Sequence, residues 1–210
     1  IDNLPLDKEQ IVIRTNNKEV IHDNDKKIIH TIVDYKFLVS INSFFQINDY
    51  VTPLLYNKVK DYLKNNNYNT VLDLYCGTGT IGIFISDVVT KVMGIEINQS
   101  AINDAIENSK LNNINNIEFI CGDAGIESKK LNIKPDAIIV DPPRAGLNNE
   151  TIQTILNFNP KTIIYVSCDP MTLVRDLNIL KNTYEIIEVT PFDMFPNTYH
   201  VENVCLLSKK

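Results

Sequence analysis

Hydrophobic positions follow two regimes along this 210-residue chain, and the change comes near residue 50. Before it, short β-branched runs at 9–14 (EQIVIR), 28–34 (IIHTIVD) and 36–41 (KFLVSI) are separated by polar stretches such as NNKE and HDNDKK. That is the pattern of a small antiparallel meander. After FFQIN, Val51, Leu54, Leu55, Val59 and Leu63 recur at three- and four-residue spacing, which predicts a helix with Pro53 tolerated in its first turn. The Asn-rich run at 65–69 ends it.

From residue 70 apolar strands alternate with amphipathic helices. Strands are expected near 70–74, 91–96, 117–120, 136–140 and 161–166, and helices near 80–88, 98–111, 149–157 and 171–181. This alternation implies a parallel sheet covered on both faces. Two final runs, EIIEVTPF at 185–192 and VENVCLLS at 201–208, are close enough in sequence to pair antiparallel. The expected fold is α/β, with a seven-stranded, mostly parallel sheet and an antiparallel strand at one edge. Residues 1–45 read as the remnant of an upstream β-rich region and 46–210 as the main domain.

Composition narrows the setting. With 44% hydrophobic and 22% charged residues the chain is ordinary for a soluble globular protein. No run approaches the ~20 apolar residues of a membrane span, and the mixed polar N-terminus is unlike a signal peptide. Cys76, Cys121, Cys168 and Cys205 show neither C-x-x-C spacing nor a paired framework, so a reducing, cytoplasmic setting is expected, with no zinc or iron–sulfur site in this stretch. The start at Ile1 suggests a piece of a longer protein. A net charge of −6 speaks against self-sufficient nucleic-acid binding, which usually needs a basic face.

Gly77, Gly79 and Gly82 form G-x-G-x-x-G directly after a strand and at the start of a helix. Alone, this is a tight turn that lets backbone approach a ligand. Glu96, at the end of the next strand, is placed to accept hydrogen bonds from ribose hydroxyls. Asp73, just before the glycines, suits an amino-acid ammonium better than a pyrophosphate, which favours S-adenosylmethionine over NAD. Asp123, in FICGDA, either faces the adenine edge or caps the following short helix.

Two further strand ends carry reactive groups, where ligands of open parallel sheets bind. Asp141-Pro142-Pro143-Arg144 is stiff and presents Asp141 and Arg144 in a set direction, unless it is only a turn with a surface ion pair. Cys168 ends the run IIYVS and precedes a helix whose N-terminus is placed to stabilise a thiolate; a small buried hydrophobe is the alternative. Glu202 opens the last strand beside His200 in PNTYHVEN, where a solvated edge glutamate and a surface histidine are the bland readings.

FFQIN, VLDLYCGTG, DPPRAGL, VSCDPMTLVRDL and FPNTYHVENVCLL, in this order and spacing, resemble the RNA 5-methyluridine methyltransferases that act on ribosomal or transfer RNA. The resemblance covers roughly residues 40–210. It implies a Rossmann-like class I methyltransferase fold, S-adenosyl-L-methionine as cofactor, Cys168 as nucleophile and Glu202 as proton-abstracting base. Cofactor contacts would fall on Gln46, Tyr75, Thr80, Glu96 and Asp141, with Asp123 added, alongside the Gly77 loop. Carbon 5 of uracil is a poor nucleophile, and thiol attack on carbon 6 would activate it. Arg144 with Asp141 would orient the base, Phe45 with Phe44 would offer a stacking face or pack on the first helix, and His200 would position RNA or orient the carboxylate.

Two departures stand out. The family often has Asn where this chain has Thr80, and its upstream RNA-binding region, sometimes with an iron–sulfur cluster, is not in these 210 residues. Ribosomal RNA (23S) is the favoured substrate, the T-loop uridine of transfer RNA the alternative, and a monomer without membrane contact is expected. RNA 5-methylcytosine transfer would place a cysteine directly after the proline of the fourth-strand motif, where this chain reads DPPR. A non-catalytic RNA-binding module of the same fold is the competing class.

Overall fold

The computed structural model describes residues 13–15, 18–20, 27–40, 43–46, 48–64 and 66–210. Its elements run β1 (Ile13–Thr15), β2 (Lys18–Val20), β3 (Ile28–Ile32), β4 (Tyr35–Val39), α1 (Val51–Leu63), β5 (Thr70–Leu74), α2 (Thr80–Ile85), β6 (Lys91–Glu96) and α3 (Gln99–Leu111). They continue with β7 (Ile117–Cys121), α4 (Ala124–Lys130), β8 (Ala137–Val140), α5 (Asn149–Phe158), β9 (Thr162–Ser167), α6 (Pro170–Leu180), β10 (Tyr184–Phe192) and β11 (Glu202–Lys209).

Seven strands form one sheet in the order β10-β11-β9-β8-β5-β6-β7. Strands β5 to β9 pair in parallel, as the βαβ alternation predicts. Because both faces are covered, β8 and β9 are buried along their whole length. Alternate residues serve opposite layers. Val71, Ile139 and Ile164 join α1 and α2 on one face, while Leu72, Ile138 and Ile163 join α5 and α6 on the other.

The antiparallel strand does not lie at the edge. β11 is antiparallel to both its neighbours and inserts between β9 and β10, leaving β10 outermost. Asn203 therefore pairs with Ser167, so that β11 starts where β9 ends.

The N-terminal meander resolves into two separate hairpins. β1 pairs with β2, which lies in a stretch that reads as a turn, and β3 pairs with β4. The first two strands pair in the register Ile13↔Val20, Arg14↔Glu19 and Thr15↔Lys18. Residues 9–12 and 41 of the expected strands lie outside the described residues. Ile32 and Phe37 of the second hairpin are buried in the same core as α1 and α2.

α1 is rotated from its expected phase. Its buried residues are Thr52, Leu55, Tyr56, Val59 and Leu63, whereas Leu54 is 60% exposed. Tyr56 replaces Leu54 on the inner face, and its hydroxyl donates to Thr80 Oγ1 at 3.0 Å. α2 stops at Ile85 instead of continuing to 88, where the Ser86 hydroxyl donates back to the Ile83 carbonyl and competes with the helical bond. No helix among the described residues is long and apolar enough to cross a membrane.

Candidate active site

A cavity of about 560 Å³ opens at the carboxyl ends of β5, β6, β8 and β9, within the size range of small-molecule sites. Its floor is the turn after β5. Tyr75, Gly77 and Gly79 all take left-handed backbone there, with φ of 65°, 53° and 78°. A Cβ on Gly79 would stand 2.8 Å from the Phe119 ring, so only glycine fits. A Cβ on Gly77 would meet nothing within 4 Å, because this residue faces the open cavity. Tyr75 pays for its left-handed backbone with a fixed ring, its hydroxyl sharing a hydrogen bond with Thr151 Oγ1 at 3.0 Å.

Glu96 straps this turn to the next strand end. Its Oε2 accepts from the Gly77 amide at 3.2 Å and its Oε1 from the Asn98 amide at 2.8 Å. Asp123 lines the cavity and also caps α4, with Oδ1 accepting from Gly125 and Ile126 amides, so both sequence readings of this residue are compatible with its position. The Thr80 hydroxyl lines the cavity while accepting from Tyr56.

Asp141, Arg144, Cys168 and Glu202 line the same cavity. Glu202 is buried at the start of β11, and burial raises its pKa to about 7, with Arg144 opposing the rise. Burial also raises Cys168, helped by the negative charges of Glu202 and Asp141 and opposed by Arg144. The expected helix-assisted thiolate is not found. Asp169 caps α6 instead, its Oδ1 accepting from the Met171 and Thr172 amides, and so places a carboxylate where the helix would have favoured an anion. Asp141 is pushed well above the usual carboxylate range by burial, then by Glu202 and Asp73.

Arg144 is the one cationic side chain among the described residues on the cavity, which also carries Glu96, Asp123, Asp141 and Glu202, and its charge acts on Glu202. Its Nη2 lies 3.2 Å from His200 Nε2, so His200 reaches the site through Arg144 and does not line the cavity itself. Both phenylalanines line the cavity, but they differ. Phe45 packs against the core that α1 shares with the second hairpin, its ring meeting His30 and Phe37, whereas Phe44 is 71% exposed and is the freer stacking face.

Among the described residues, two buried polar atoms of the cavity lining have no hydrogen-bond partner: Gln46 Oε1 and Thr78 Oγ1. Buried polar groups are ordinarily paired, so these await a polar ligand or solvent. Together with four carboxylates and apolar walls from Ile81, Ile95 and Ile97, they fit a ligand with a cationic end, hydroxyl groups and a flat apolar part.

Asp73 gives a direct test of this electrostatic picture. Burial raises its pKa from 3.8 to about 7, with nearby Glu96 adding to the shift and the Gly82 amide opposing it. Between these values the folded chain holds a proton that the unfolded chain releases, so stability falls as pH rises from about 4 to about 7. Asp73→Asn removes this slope. Relative to the variant, wild type should lose on the order of 4 kcal/mol between pH 4 and pH 8, read by urea unfolding. Parallel pH profiles for the two proteins would refute it.

Of the residues singled out from sequence, Phe45, Gln46, Tyr75, Gly77, Thr80, Glu96, Asp123, Asp141, Arg144, Cys168 and Glu202 all line one cavity. Tyr56, Thr78 and Phe195 line it too and were missed. Thr78 stands inside the glycine motif and was readable there. Tyr56 and Phe195 carry no local signal, since an aromatic in a helix or loop is ordinarily core.

A family profile described as tRNA (Uracil-5-)-methyltransferase matches residues 6–124 and 122–210. The chain is 44% identical over 200 residues to an uncharacterized RNA methyltransferase of Clostridium tetani, covering 95% of this chain and 44% of that protein. It is 45% identical over 186 residues to another from Staphylococcus aureus, covering 87% of this chain and 41% of the relative. The chain thus spans less than half the length of these relatives. Among solved structures it resembles a Pyrococcus abyssi tRNA (uracil-54, C5)-methyltransferase in complex with S-adenosyl-L-homocysteine, with a TM-score of 0.76 and 37% identity over 87% of this chain and 44% of that one. The glycine turn, the strand-end carboxylates and a thiol beside a buried glutamate thus agree with the matches along the chain, which belongs to the tRNA (uracil-5-)-methyltransferase family.

Proposed function

We propose that this chain is the catalytic part of an enzyme that methylates carbon 5 of a uridine in RNA, using S-adenosyl-L-methionine. The observation that carries this is the meeting of Cys168 and Glu202 in the same cavity as the glycine turn and Glu96. S-adenosylmethionine supplies an electrophilic methyl group on a positive sulfonium, a charge suited to a site with four carboxylates. Gln46, Tyr75, the 77–80 turn, Glu96, Asp123 and Asp141 would hold it.

Cys168 adds to carbon 6 of the uracil, giving an enolate-like ring whose carbon 5 is nucleophilic. Burial and the neighbouring carboxylates raise the pKa of Cys168, so the thiol gives its proton to solvent as the sulfur attacks, which leaves Glu202 free to accept the later proton from carbon 5. Arg144 stabilises the negative charge that develops on sulfur and on the uracil oxygen. Carbon 5 would then take the sulfonium methyl group, with S-adenosylhomocysteine as the leaving thioether, after which Glu202 takes the proton from carbon 5 and elimination releases Cys168. The base must be unstacked to enter, as in a loop, and Phe44 supplies an exposed ring for it.

Arg144 is the one cation lining the cavity among the described residues, and lysines such as Lys27 and Lys58 are paired with Asp104 and Glu188, which supports RNA affinity residing in the rest of the protein. The protein is read as a cytoplasmic monomer. Ribosomal RNA is retained as the substrate class on family expectation; the Pyrococcus structure, described as acting on uracil 54 of tRNA, favours transfer RNA as the second reading. Loss of 5-methyluridine from one RNA class in cells lacking the protein decides between them. A covalent adduct with 5-fluorouridine RNA tests the chemistry, since a non-catalytic module cannot form one.

Glu96→Ala should weaken S-adenosylhomocysteine by about 1.5–3 kcal/mol in calorimetry, the scale of a hydrogen bond to a charged group. The same change frees the Gly77 and Asn98 amides, so the loop is loosened as well. Unchanged affinity would remove Glu96 from the site.

A further inference from the structure

Helix α3 presents a polar stripe to the free edge of β4, and its spacing matches that of a strand. Residues four apart on a helix are about 6 Å apart along its axis. Residues two apart on a strand are about 6.7 Å apart. Asn112, Asn108 and Asp104 accordingly meet Lys36, Leu38 and Ser40 in turn. Asn112 accepts from the Lys36 amide at 2.9 Å and donates to its carbonyl at 2.7 Å. Asn108 accepts from the Leu38 amide at 2.6 Å and donates to its carbonyl at 3.1 Å. Asp104 accepts from the Ser40 amide and hydroxyl and from the Ser43 hydroxyl. The helix thus pairs with an edge that would otherwise lie open.

Asn108 does one thing the other two do not. Its Nδ2 also donates to the Thr78 carbonyl at 3.2 Å, in the middle of the glycine turn. It is fully buried, and so is its neighbour in the stripe, Asp104. The β4 edge leads through Ser43 directly into Phe44, Phe45 and Gln46, which form one wall of the cavity, while Thr78 belongs to its floor. We propose that Asn108 is a positioning residue that joins these two parts of the cavity through one amide, so that the hairpin sets the geometry of the methyl-donor site. The inference rests on the donor site proposed above. It assigns to the second hairpin a role in cofactor binding exerted from outside the cavity.

The test compares two rungs of the same ladder in the full-length protein. Asn108→Ala and Asn112→Ala each remove a bond pair to β4, but only the first releases Thr78. S-adenosyl-L-homocysteine should bind roughly three- to tenfold more weakly to Asn108→Ala, the scale of one or two net hydrogen bonds, and KM for the methyl donor should rise in proportion. Asn112→Ala should bind like wild type. Equal affinity of the two variants, whether unchanged or equally reduced, overturns the proposal, because the stripe then serves only the fold. If Asn108→Ala does not fold, amide exchange in the wild-type protein decides. Ligand should slow exchange at Leu38 and Ser40, and no change there overturns the proposal. A wild-type protein that fails to bind S-adenosylhomocysteine would instead refute the donor site itself, and this inference with it.

Discussion

Cys168→Ala is expected to abolish both turnover and covalent capture of RNA, a loss of roughly 10⁴-fold or more, on the scale seen when an enzymatic nucleophile is removed. Cys168 sits half-buried at the end of β9, in a cavity that also holds Glu202, Asp141 and Arg144. Cys76 cannot substitute. It lines the same cavity but is buried beneath the glycine turn, and burial with the charges of Asp73 and Glu96 raises its pKa further. Cys205 is fully buried in the core, and Cys121 is exposed outside the cavity wall. S-adenosylhomocysteine binding should be unaffected, because Cys168 is not among the residues assigned to the donor. A denaturing gel with 5-fluorouridine RNA and labelled methyl donor reads the adduct. Persistent adduct in the alanine protein would move the nucleophile elsewhere and sink the proposed mechanism.

Glu202→Gln is expected to stop turnover while letting the covalent complex accumulate, the opposite adduct phenotype from Cys168→Ala. The amide keeps the size of the carboxylate but cannot accept the carbon 5 proton, so methylated RNA should stay attached to Cys168. Loss of turnover by about 10²–10⁴-fold is the scale of general-base catalysis. The wild-type pH profile should agree. With its pKa raised to about 7, Glu202 is increasingly protonated below that pH, so the rate should fall on the acid side of neutrality. The Arg144–His200 contact makes a further distinction possible, because Arg144 opposes the rise of Glu202. Normal turnover by Glu202→Gln would assign the proton to another group.

Much of the architecture was readable locally. Strands β5 and β6 fall at the expected residues, and α3, α5 and α6 begin or end within a residue of their expected limits. The glycine turn and Glu96 were legible for the same reason: a strand, a turn and the start of a helix are all specified within a short window, where backbone φ and side-chain period act directly. Misjudged features depended on partners distant in sequence. Leu54 and Tyr56 are two residues apart and so lie on nearly opposite faces of α1, and the face turned inward was set by partners on other elements, such as Thr80 for the Tyr56 hydroxyl. Phe44 and Phe45 are adjacent apolar residues for which stacking and packing both stayed open, and the core shared by α1 and the hairpin decided which one is covered. At Cys168 the helix N-terminus was correctly located, but burial and the charges of Glu202 and Asp141, contributed by other strand ends, raise the thiol instead.

The amino-acid sequence by itself determined the alternation of strands and helices, the left-handed glycine turn and the chemical types available at each strand end. Only the tertiary structure decided that the thiol and the buried glutamate would share a cavity. In a parallel sheet all strands finish on the same side, so a residue at the start of a strand ordinarily lies on the opposite edge from the site. Glu202 escapes this because β11 runs antiparallel between β9 and β10, which brings its first residue to the carboxyl end of β9. That insertion depends on hydrogen bonds to two strands at once, a long-range pairing that no local period of apolar residues encodes.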